Sequence, residues 1–298
     1  MSKNMRVAIF GYGNVGKHAA TAVAAAPDMT LCGIVDPFAL DQPAPGGVPI
    51  VPSVDLLENV DIAILCTPSR SVLTCAVPLL EQGISTVDSF DIHPEIVDLR
   101  AALDIAAKRG GTRAVVSAGW DPGSDSVIRT LLEAAAPVGI TYTDFGPGMS
   151  MGHSVAARSI YGVRDALSLT IPLGTGLHRR VLYIEIEDGA NYDDVCAAIK
   201  NDNYFRHDEL HIIPVADVSA LADRGHGVHM ARRGRSSGID NQLFTFEMRI
   251  HNPALTAQIM TSCARACTRV KPGAYTLIEI PLIDLLPGDR EEIINRLV

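Results

Sequence analysis

The chain has 298 residues and a formal net charge of -9, with 47% hydrophobic and 20% charged residues. This composition is too apolar and too weakly charged for a disordered chain, and the length suits one large domain or two of ordinary size. The acidic balance also argues against a general nucleic-acid-binding protein, because neutralising phosphates requires an excess of Lys and Arg.

We expect neither a membrane segment nor disulfides. The apolar stretches end well short of the about 20 residues that a membrane-spanning helix needs. The N-terminal region lacks the pattern of a secretory signal. None of the six cysteines belongs to a C-x-x-C pair, and most lie among apolar residues, as buried thiols in a reducing compartment do. The sequence therefore predicts a cytoplasmic protein.

The first 120 residues alternate between predicted strands and predicted helices. Strands are predicted at 6–10, 30–35, 61–66, 84–87 and 114–117, and helices at 17–26 and 72–82. Continuous apolar strands separated by helices are typical of a parallel sheet covered on both faces. The sequence therefore predicts an α/β protein whose N-terminal domain is a Rossmann-type doubly wound parallel sheet.

The pattern changes after residue 120. Longer strands are predicted at 141–145, 166–171, 180–187 and 243–250, and helices at 124–135, 192–200 and 253–268. This order predicts an α+β second domain with a mixed or antiparallel sheet. The basic run Arg232-Arg233-Gly234-Arg235 is interpreted as a solvated loop.

The strongest motif is the G-x-G-x-x-G formed by Gly11, Gly13 and Gly16, which follows the first predicted strand and opens the first helix. In a dinucleotide-binding fold the first glycine allows the tight turn, the second lets the backbone approach a pyrophosphate, and the third lets helix pack on strand. The helix N-terminus adds N–H donors for the phosphates. The alternative is an ordinary glycine turn.

Asp36 follows the second predicted strand, 20 residues after Gly16. A carboxylate at this place in a dinucleotide fold accepts hydrogen bonds from the adenosine ribose and repels a 2′-phosphate, so Asp36 favours NAD over NADP. The alternative is a turn aspartate that precedes Pro37.

Polar residues follow the next three predicted strands, at the sheet edge where such folds bind ligands. The segment 66–69 (CTPS) follows one strand, Asp91 the next and Asp121 the third. We interpret Asp91 and Asp121 as paired acids that hold a substrate ammonium or handle its proton. Alternatively, Asp121 and Pro122 cap the following helix, and the neighbouring Trp120 is a packing residue.

Residues 146–154 (GPGMSMGHS) are interpreted as a glycine-rich loop. The loop has no lysine and is therefore not a P-loop, but its backbone N–H groups can hold a carboxylate. Basic and polar candidates for the same task are His178, Arg179, Arg180, His226 and Asn252. An arginine fork holds a carboxylate with two parallel hydrogen bonds.

Two pairs with i, i+4 spacing are not interpreted as metal sites. His207 and His211 lack the adjacent glutamate of H-E-x-x-H and an evident third ligand. Cys263 and Cys267 lie on an apolar helix face and are interpreted as core residues. The sequence therefore predicts no metal.

Taken together, the motifs resemble the meso-diaminopimelate dehydrogenase family. The resemblance runs from GYGNVGKHAATAVAAAPDM to PGDREEIINRLV, and its most specific segments are TVDSFDIH, SAGWDPGSDS, FGPGMSMGHS, RGHGVHM and HNPALTAQ. The chain is similar to the shorter members, which lack an insertion in the substrate domain.

The resemblance implies a homodimer with a dinucleotide-binding domain at 1–120, a substrate-binding and dimerisation domain at 121–252, and a C-terminal segment, 253–298, that returns to the first domain. It implies reversible NAD(P)-dependent oxidative deamination of meso-2,6-diaminoheptanedioate at its D-centre. The products are L-2-amino-6-oxoheptanedioate, a precursor of lysine and peptidoglycan, and ammonia. The alternatives are another two-domain NAD(P) dehydrogenase of D-amino acids and a non-catalytic NAD(P) sensor.

The resemblance also assigns residues by motif. Asp91 and Asp121 are implied at the D-amino-acid end, as the catalytic candidates. Further substrate contacts are implied for Phe145, Met151, Gly152, Thr170, Arg180, His226 and Asn252. Cofactor contacts are implied for Gly11, Tyr12, Gly13, Asn14, Val15, Cys66, Thr67, Pro68, Ser69, Asp88, Ser89, Phe90, Trp120 and Pro122.

One stretch, Asp36-Pro37-Phe38, departs from the family. The family usually places basic residues there, which hold the 2′-phosphate of NADP. The resemblance therefore implies NADP, whereas this stretch argues for a weakened preference for NADP or for NAD.

Overall fold

The computed structural model describes residues 4–221 and 225–298. It divides into two compact units: Met1–Val127 together with Pro253–Val298, and Ile128–Asn252. Arg224, the first residue of the RGHGVHM segment, lies outside the described residues.

The first half of the chain alternates strands with helices. Its elements are β1 (Met5–Phe10), α1 (Asn14–Ala25), β2 (Met29–Val35), β3 (Ile50–Val51), β4 (Ile62–Leu65), α2 (Val72–Glu81), β5 (Ser85–Asp88), α3 (Ile96–Gly110), β6 (Arg113–Val116) and α4 (Ser124–Ala135).

The remaining elements are mostly longer strands. They are β7 (Val138–Phe145), β8 (Gly148–Ser150), α5 (Met151–Arg158), β9 (Val163–Gly174), β10 (Leu177–Ile186), α6 (Tyr192–Asn201), β11 (Glu209–Pro214), β12 (His226–Ser236), β13 (Ile239–Ile250), α7 (Asn252–Cys267), β14 (Gly273–Thr276) and α8 (Arg290–Leu297).

The first unit is built on a parallel sheet. Within the described residues its strand order is β14-β6-β5-β4-β1-β2-β3, and every neighbouring pair is parallel. The central strands are apolar along their length because helices cover both faces; Val7, Ile9 and Ile64 are completely buried. The predicted Rossmann-type sheet is confirmed. It places the carboxyl ends of β1, β2, β4, β5 and β6 at one edge.

The second unit contains two sheets, as far as the chain is described. The mixed sheet has the order β11-β10-β9-β8, in which β10 and β11 are parallel and the other pairs are antiparallel. The antiparallel sheet has the order β13-β12-β7. The predicted α+β architecture is confirmed.

The interpretation of the basic run as a solvated loop is wrong. Arg232 to Arg235 lie in β12, and Arg232 is only 4% exposed. Its guanidinium donates to the carbonyl of Ala136 at 2.6 and 3.0 Å and to Oγ1 of Thr141 at 3.0 Å. Side chains alternate across a strand, so Arg233 and Arg235 are exposed while Arg232 points inward.

The interpretation of residues 146–154 as one loop is also wrong, because β8 and the first turn of α5 lie there. The core interpretation of Cys263 and Cys267 is confirmed, since both thiols are buried within α7. Among the described helices, none combines the length and the apolar character needed to cross a membrane.

Candidate active site

The glycine turn, residues 11–16, connects β1 to α1. Gly11 has φ +87°, and a Cβ there would lie 2.7 Å from the carbonyl oxygen of Cys66. A Cβ on Gly16 would lie 2.0 Å from the carbonyl oxygen of Gly11. Only glycine fits at these two positions, because the turn brings backbone against backbone. Gly13 differs, since a Cβ there would meet no described atom within 4 Å.

The N-terminus of α1 fits a phosphate group. Gly13 is its N-cap, no described side chain caps the helix, and its first turn, which contains Asn14 and Val15, has no acidic residue. The leading N–H groups of the helix are therefore free for an anion, and the helix dipole favours negative charge there. Open space beside Gly13 lets a bulky group reach these amides.

Asp36 lies at the carboxyl end of β2, beside the glycine turn. Its carboxylate accepts hydrogen bonds from the N–H of Tyr12 at 2.7 Å and from the N–H of Phe38 at 2.9 Å. Phe38 is 96% exposed, and the Tyr12 hydroxyl donates to the carbonyl of Pro43 at 2.9 Å. These bonds fix an acid at the edge of the turn, and the side chains within two residues after it are apolar.

Residues after β4 and β5 meet through a hydrogen-bonded pair. The hydroxyl of Ser69 donates to Oδ1 of Asp91 at 2.6 Å, and the N–H of Asp91 donates to the same hydroxyl oxygen at 3.2 Å. Asp91 is half-buried, as are Cys66 and Thr67 before the pair. Oγ1 of Thr67 is buried and has no hydrogen-bond partner among the described residues, which leaves a donor and acceptor for a ligand.

Asp88, another predicted cofactor contact, is the last residue of β5. Its side chain is completely buried, and Oδ1 accepts hydrogen bonds from the N–H groups of Phe90 and Ser117, both at 3.0 Å. Burial raises the pKa of Asp88 to about 6, and these two backbone bonds oppose the rise. The carboxyl group thus holds together the segments that follow β5 and β6, which carry Asp91 and Asp121.

Asp121 lies on a tight loop between β6 and α4. Gly123 has φ +144°, and a Cβ there would lie 1.9 Å from the carbonyl oxygen of Gly119. The N–H groups of Ser124 and Asp125 donate to the carbonyls of Gly119 and Trp120 at 3.1 and 3.0 Å. Backbone carbonyls therefore satisfy these two amides.

Trp120 and Pro122 flank Asp121 and are buried, which fixes the loop on either side of the acid. Asp121 itself is half-buried. Asp121 lies in the segment after β6, and Asp91 lies in the segment after β5. These two strands are neighbours in the parallel sheet.

In the second unit, Arg180 is the centre of a polar cluster on the mixed sheet. It lies on β10 opposite Thr170 on β9, and its Nη1 donates to Oγ1 of Thr170 at 3.2 Å. Its Nε donates to Oδ2 of Asp208, which immediately precedes β11. Arg180 is 6% exposed, so its charge is almost fully desolvated and needs such a partner.

Two imidazoles flank this ion pair. Nε2 of His153 lies 3.6 Å from Oδ2 of Asp208, and Nε2 of His178 lies 3.9 Å from Oδ1. Burial lowers the pKa of His153 to about 3, assisted by the positive charge of Arg180. The ring of Phe145 contacts that of His178 edge-on, with centroids 6.4 Å apart. We call Arg180, Thr170, Asp208, His153 and His178 the Arg180 cluster.

Gly148 brings the two sheets of this unit together. It pairs with Thr170 on β9, and a Cβ on it would lie 2.5 Å from Cα of His226 on β12. The glycine therefore places buried His226 near Thr170. Met151 and Gly152 are the first two residues of α5, so this segment presents a helix start where a loop was expected.

The remaining predicted contact, Asn252, is half-buried and begins α7. His207 and His211 lie in a turn and in β11, so they do not share a helix face. Within the described residues, no group of three or more His, Cys, Asp or Glu side chains is arranged to hold a metal ion.

Comparison with known proteins identifies the family of this arrangement. The family model of the diaminopimelic acid dehydrogenase C-terminal domain matches residues 119–252. A meso-diaminopimelate D-dehydrogenase of Bacteroides fragilis is 56% identical over 298 residues, which cover 99% of this chain and 100% of the relative. This chain belongs to the meso-diaminopimelate D-dehydrogenase family. It is an oxidoreductase, and the resemblance drawn from its motifs is confirmed.

A more distant sequence relative and two solved structures also match nearly the whole chain. The relative from Corynebacterium glutamicum is 31% identical over 319 residues, covering 98% of this chain and 99% of its own. The DAP dehydrogenase of C. glutamicum in complex with DAP superposes with a TM-score of 0.89 at 29% identity, covering 99% of this chain and 100% of that one. An engineered D-amino acid dehydrogenase bound to NADP+ gives a TM-score of 0.88 at 28% identity, with the same coverage.

Asp208 is a member of the Arg180 cluster that was not predicted from the sequence. The residue stands between the dismissed His207 and His211, 28 residues from Arg180 along the chain. Only the parallel pairing of β10 with β11 brings the two charges together. A buried arginine requires a counter-charge, but nothing local in the sequence indicates which acid supplies it.

Proposed function

We propose that the chain catalyses the reversible NAD(P)-dependent oxidative deamination of meso-2,6-diaminoheptanedioate at its D-centre, forming L-2-amino-6-oxoheptanedioate and ammonia. One observation carries the proposal: two carboxylates, Asp91 and Asp121, follow neighbouring strands at the sheet edge that also carries the glycine turn. An ammonium-bearing carbon and a dinucleotide fit such an edge. The family membership supports the same reaction.

In this proposal the first unit holds the cofactor and the reacting end of the substrate. The glycine turn and the start of α1 bind the pyrophosphate, and Thr67 contributes its buried hydroxyl. A nicotinamide cofactor bound by these residues would supply the acceptor for the hydride of the D-carbon. Asp91 and Asp121 bind the D-ammonium group, and one of them takes up one of its protons as the hydride leaves the carbon and the carbon–nitrogen double bond forms. Water then adds to the imine carbon and passes one proton to the other carboxylate. The protonated acid returns its proton to the nitrogen, the carbon–nitrogen bond breaks, and the departing ammonia takes the hydroxyl proton as the carbonyl group forms.

The second unit anchors the opposite end of the substrate. Arg180 and Thr170 donate hydrogen bonds to the distal carboxylate. His226 and Asn252 are proposed as further contacts to this end of the substrate. In this proposal the anchor distinguishes the two chemically similar ends of the substrate by binding the end that does not react.

Product analysis tests this proposal. We expect one ammonia and one 2-oxo acid for each reduced cofactor when the purified protein is incubated with meso-diaminopimelate. Turnover of other D-amino acids but not of meso-diaminopimelate would replace the proposed substrate with a different one. Cofactor binding without turnover of any D-amino acid would favour a sensor.

We further propose that Gly13 marks the approach of the pyrophosphate. Gly13 has φ −75° and ψ −160°, which alanine adopts readily, and its Cβ position is open. Gly13→Ala is therefore expected to preserve or slightly raise the melting temperature while weakening cofactor binding about tenfold or more, because the methyl group occupies the cofactor's space. Calorimetric titration with NAD and NADP measures this.

The matched control is Gly16→Ala, in which the methyl group must displace the Gly11 carbonyl. This variant is expected to lose stability, since the clash is with backbone. Unchanged cofactor affinity in folded Gly13→Ala would contradict the assignment of the glycine turn.

We infer that Asp36 weakens the preference for NADP. Its half-buried carboxylate would face a 2′-phosphate, and a repulsion of about 1.4 kcal/mol corresponds to a tenfold change in preference. Asp36→Asn is therefore expected to raise kcat/KM with NADP relative to NAD about tenfold, while the exposed control Asp41→Asn has no effect. A strong NADP preference in the unmodified protein would contradict this inference.

We also propose that the protein is a homodimer. The described antiparallel sheet leaves large apolar side chains in contact with solvent, among them Val138, Ile140 and Leu243, which are 52–65% exposed. A second copy covering them removes this apolar area from water. Light scattering should give twice the 31.8 kDa chain mass.

A further inference from the structure

We propose that Asp208 is a specificity-determining residue that binds the ammonium group at the L-centre of the substrate, so that Asp208 and Arg180 together recognise an intact amino-acid head group. The inference rests on the proposed function and extends it to a residue outside the predicted site.

The ion pair leaves both partners able to accept a ligand. Arg180 uses Nε for Asp208 and Nη1 for Thr170, and no described residue bonds to Nη2. Asp208 uses Oδ2 for Arg180, and its Oδ1 lies 3.9 Å from Nε2 of His178, which is beyond hydrogen-bond distance. The Asp208 side chain is 18% exposed, whereas that of Arg180 is 7% exposed. A small ligand can therefore reach the carboxylate as well as the guanidinium.

Charge balance favours a zwitterion over a lone carboxylate. The Arg180 cluster contains one guanidinium and one carboxylate, and His153, with its pKa of about 3, adds no positive charge near pH 7. A carboxylate entering alone would be attracted by Arg180 and repelled by Asp208. An α-amino acid head group presents a negative and a positive group on one carbon, which matches the adjacent opposite charges of the cluster.

The fold holds Asp208 at this place. Phe205 is 1% exposed in the core of the second unit, and the N–H of Asp208 donates to the Phe205 carbonyl at 3.0 Å. The next residue, Glu209, pairs with Arg179 in the parallel register of β10 and β11. The turn before β11 is therefore anchored on both sides of Asp208, which gives the carboxylate a fixed position for selecting a ligand.

A buried polar atom beside the pair points to the same conclusion. Nδ1 of His178 is buried and has no hydrogen-bond partner within the described residues. Buried polar atoms are normally satisfied, so an unpartnered one next to an accessible carboxylate indicates that a ligand or water completes the site.

The test compares two substrates that differ only at the L-centre: meso-diaminopimelate and D-2-aminoheptanedioate, which keeps both carboxylates but lacks the L-amino group. The unmodified protein is expected to prefer meso-diaminopimelate by at least about tenfold in kcat/KM. Asp208→Asn is expected to lose about 10- to 100-fold in kcat/KM with meso-diaminopimelate, mainly through KM, and little or nothing with D-2-aminoheptanedioate.

The matched control is Glu209→Gln, which removes the neighbouring acid from an exposed ion pair with Arg179 at 2.8 Å. This variant should leave kcat/KM unchanged with both substrates. Equal losses of Asp208→Asn on both substrates would overturn the proposal, because a residue that only neutralises Arg180 affects both alike. If Asp208→Asn does not fold, the two substrates are compared with the unmodified protein alone. A preference in kcat/KM for meso-diaminopimelate over D-2-aminoheptanedioate below about twofold overturns the proposal. If the unmodified protein does not oxidise meso-diaminopimelate at all, the proposed function fails first.

Discussion

Asp121→Asn is expected to lower kcat with meso-diaminopimelate about 100-fold or more and to change cofactor affinity less than about twofold. The amide keeps the shape of the side chain but can neither neutralise the D-ammonium group nor take up its proton. The backbone of the loop should persist, because the N–H groups of Ser124 and Asp125 donate to the backbone carbonyls of Gly119 and Trp120. The variant is therefore expected to slow the chemical step without unfolding the loop.

Stopped-flow measurement of cofactor reduction gives kcat, and calorimetric titration gives the Kd of the cofactor. Asp41→Asn, an exposed acid in the same unit, serves as the control for the loss of one charge. Unchanged kcat in Asp121→Asn would remove this residue from catalysis and leave Asp91 as the acid that moves the proton.

Arg180→Met is expected to raise the KM for meso-diaminopimelate about 100-fold and to lower the free energy of unfolding by about 3 kcal/mol. Both effects have the same origin. The substrate carboxylate loses its guanidinium, and Asp208 becomes a carboxylate without its counter-charge in a largely desolvated cluster. Arg179→Met is the control, because Arg179 lies next in β10 and pairs with exposed Glu209.

A double variant separates binding from stability. Arg180→Met combined with Asp208→Asn removes both charges, so it should regain most of the free energy of unfolding that Arg180→Met loses. The KM should remain high, since the guanidinium is still absent. Recovery of the KM together with stability would mean that Arg180 supports the fold and does not contact the substrate.

The first unit could be predicted closely because its signals are local. The strand at 6–10, the glycine turn and the helix after it adjoin one another in the chain, so one βαβ unit fixes them. The acids Asp91 and Asp121 could be placed at one edge by the rule that parallel strands end together. The resemblance implied a cofactor contact at Asp88; the complete burial of its side chain could not be predicted, because packing against the segment after β6 decides it.

The second unit was harder to predict because its site is assembled by strand pairing. Thr170 and Arg180 are opposite each other only in the register of β9 and β10. Asp208 lies beside Arg180 because β11, which begins at the next residue, pairs with β10. The strand β11 was not predicted. The burial of Arg232 could not be predicted for the same reason. A basic run is typical of a loop, and Arg232 is buried because side chains alternate between the two faces of β12.

The reduction of NAD and of NADP by the purified protein, measured in parallel with meso-diaminopimelate and with its LL isomer, tests the central claim most directly. The LL isomer has two L-centres and lacks the D-carbon on which the proposed chemistry takes place. We predict turnover with the meso isomer and none with the LL isomer. Equal turnover of both isomers, or turnover of neither, would contradict oxidation at a D-centre bound by Asp91 and Asp121.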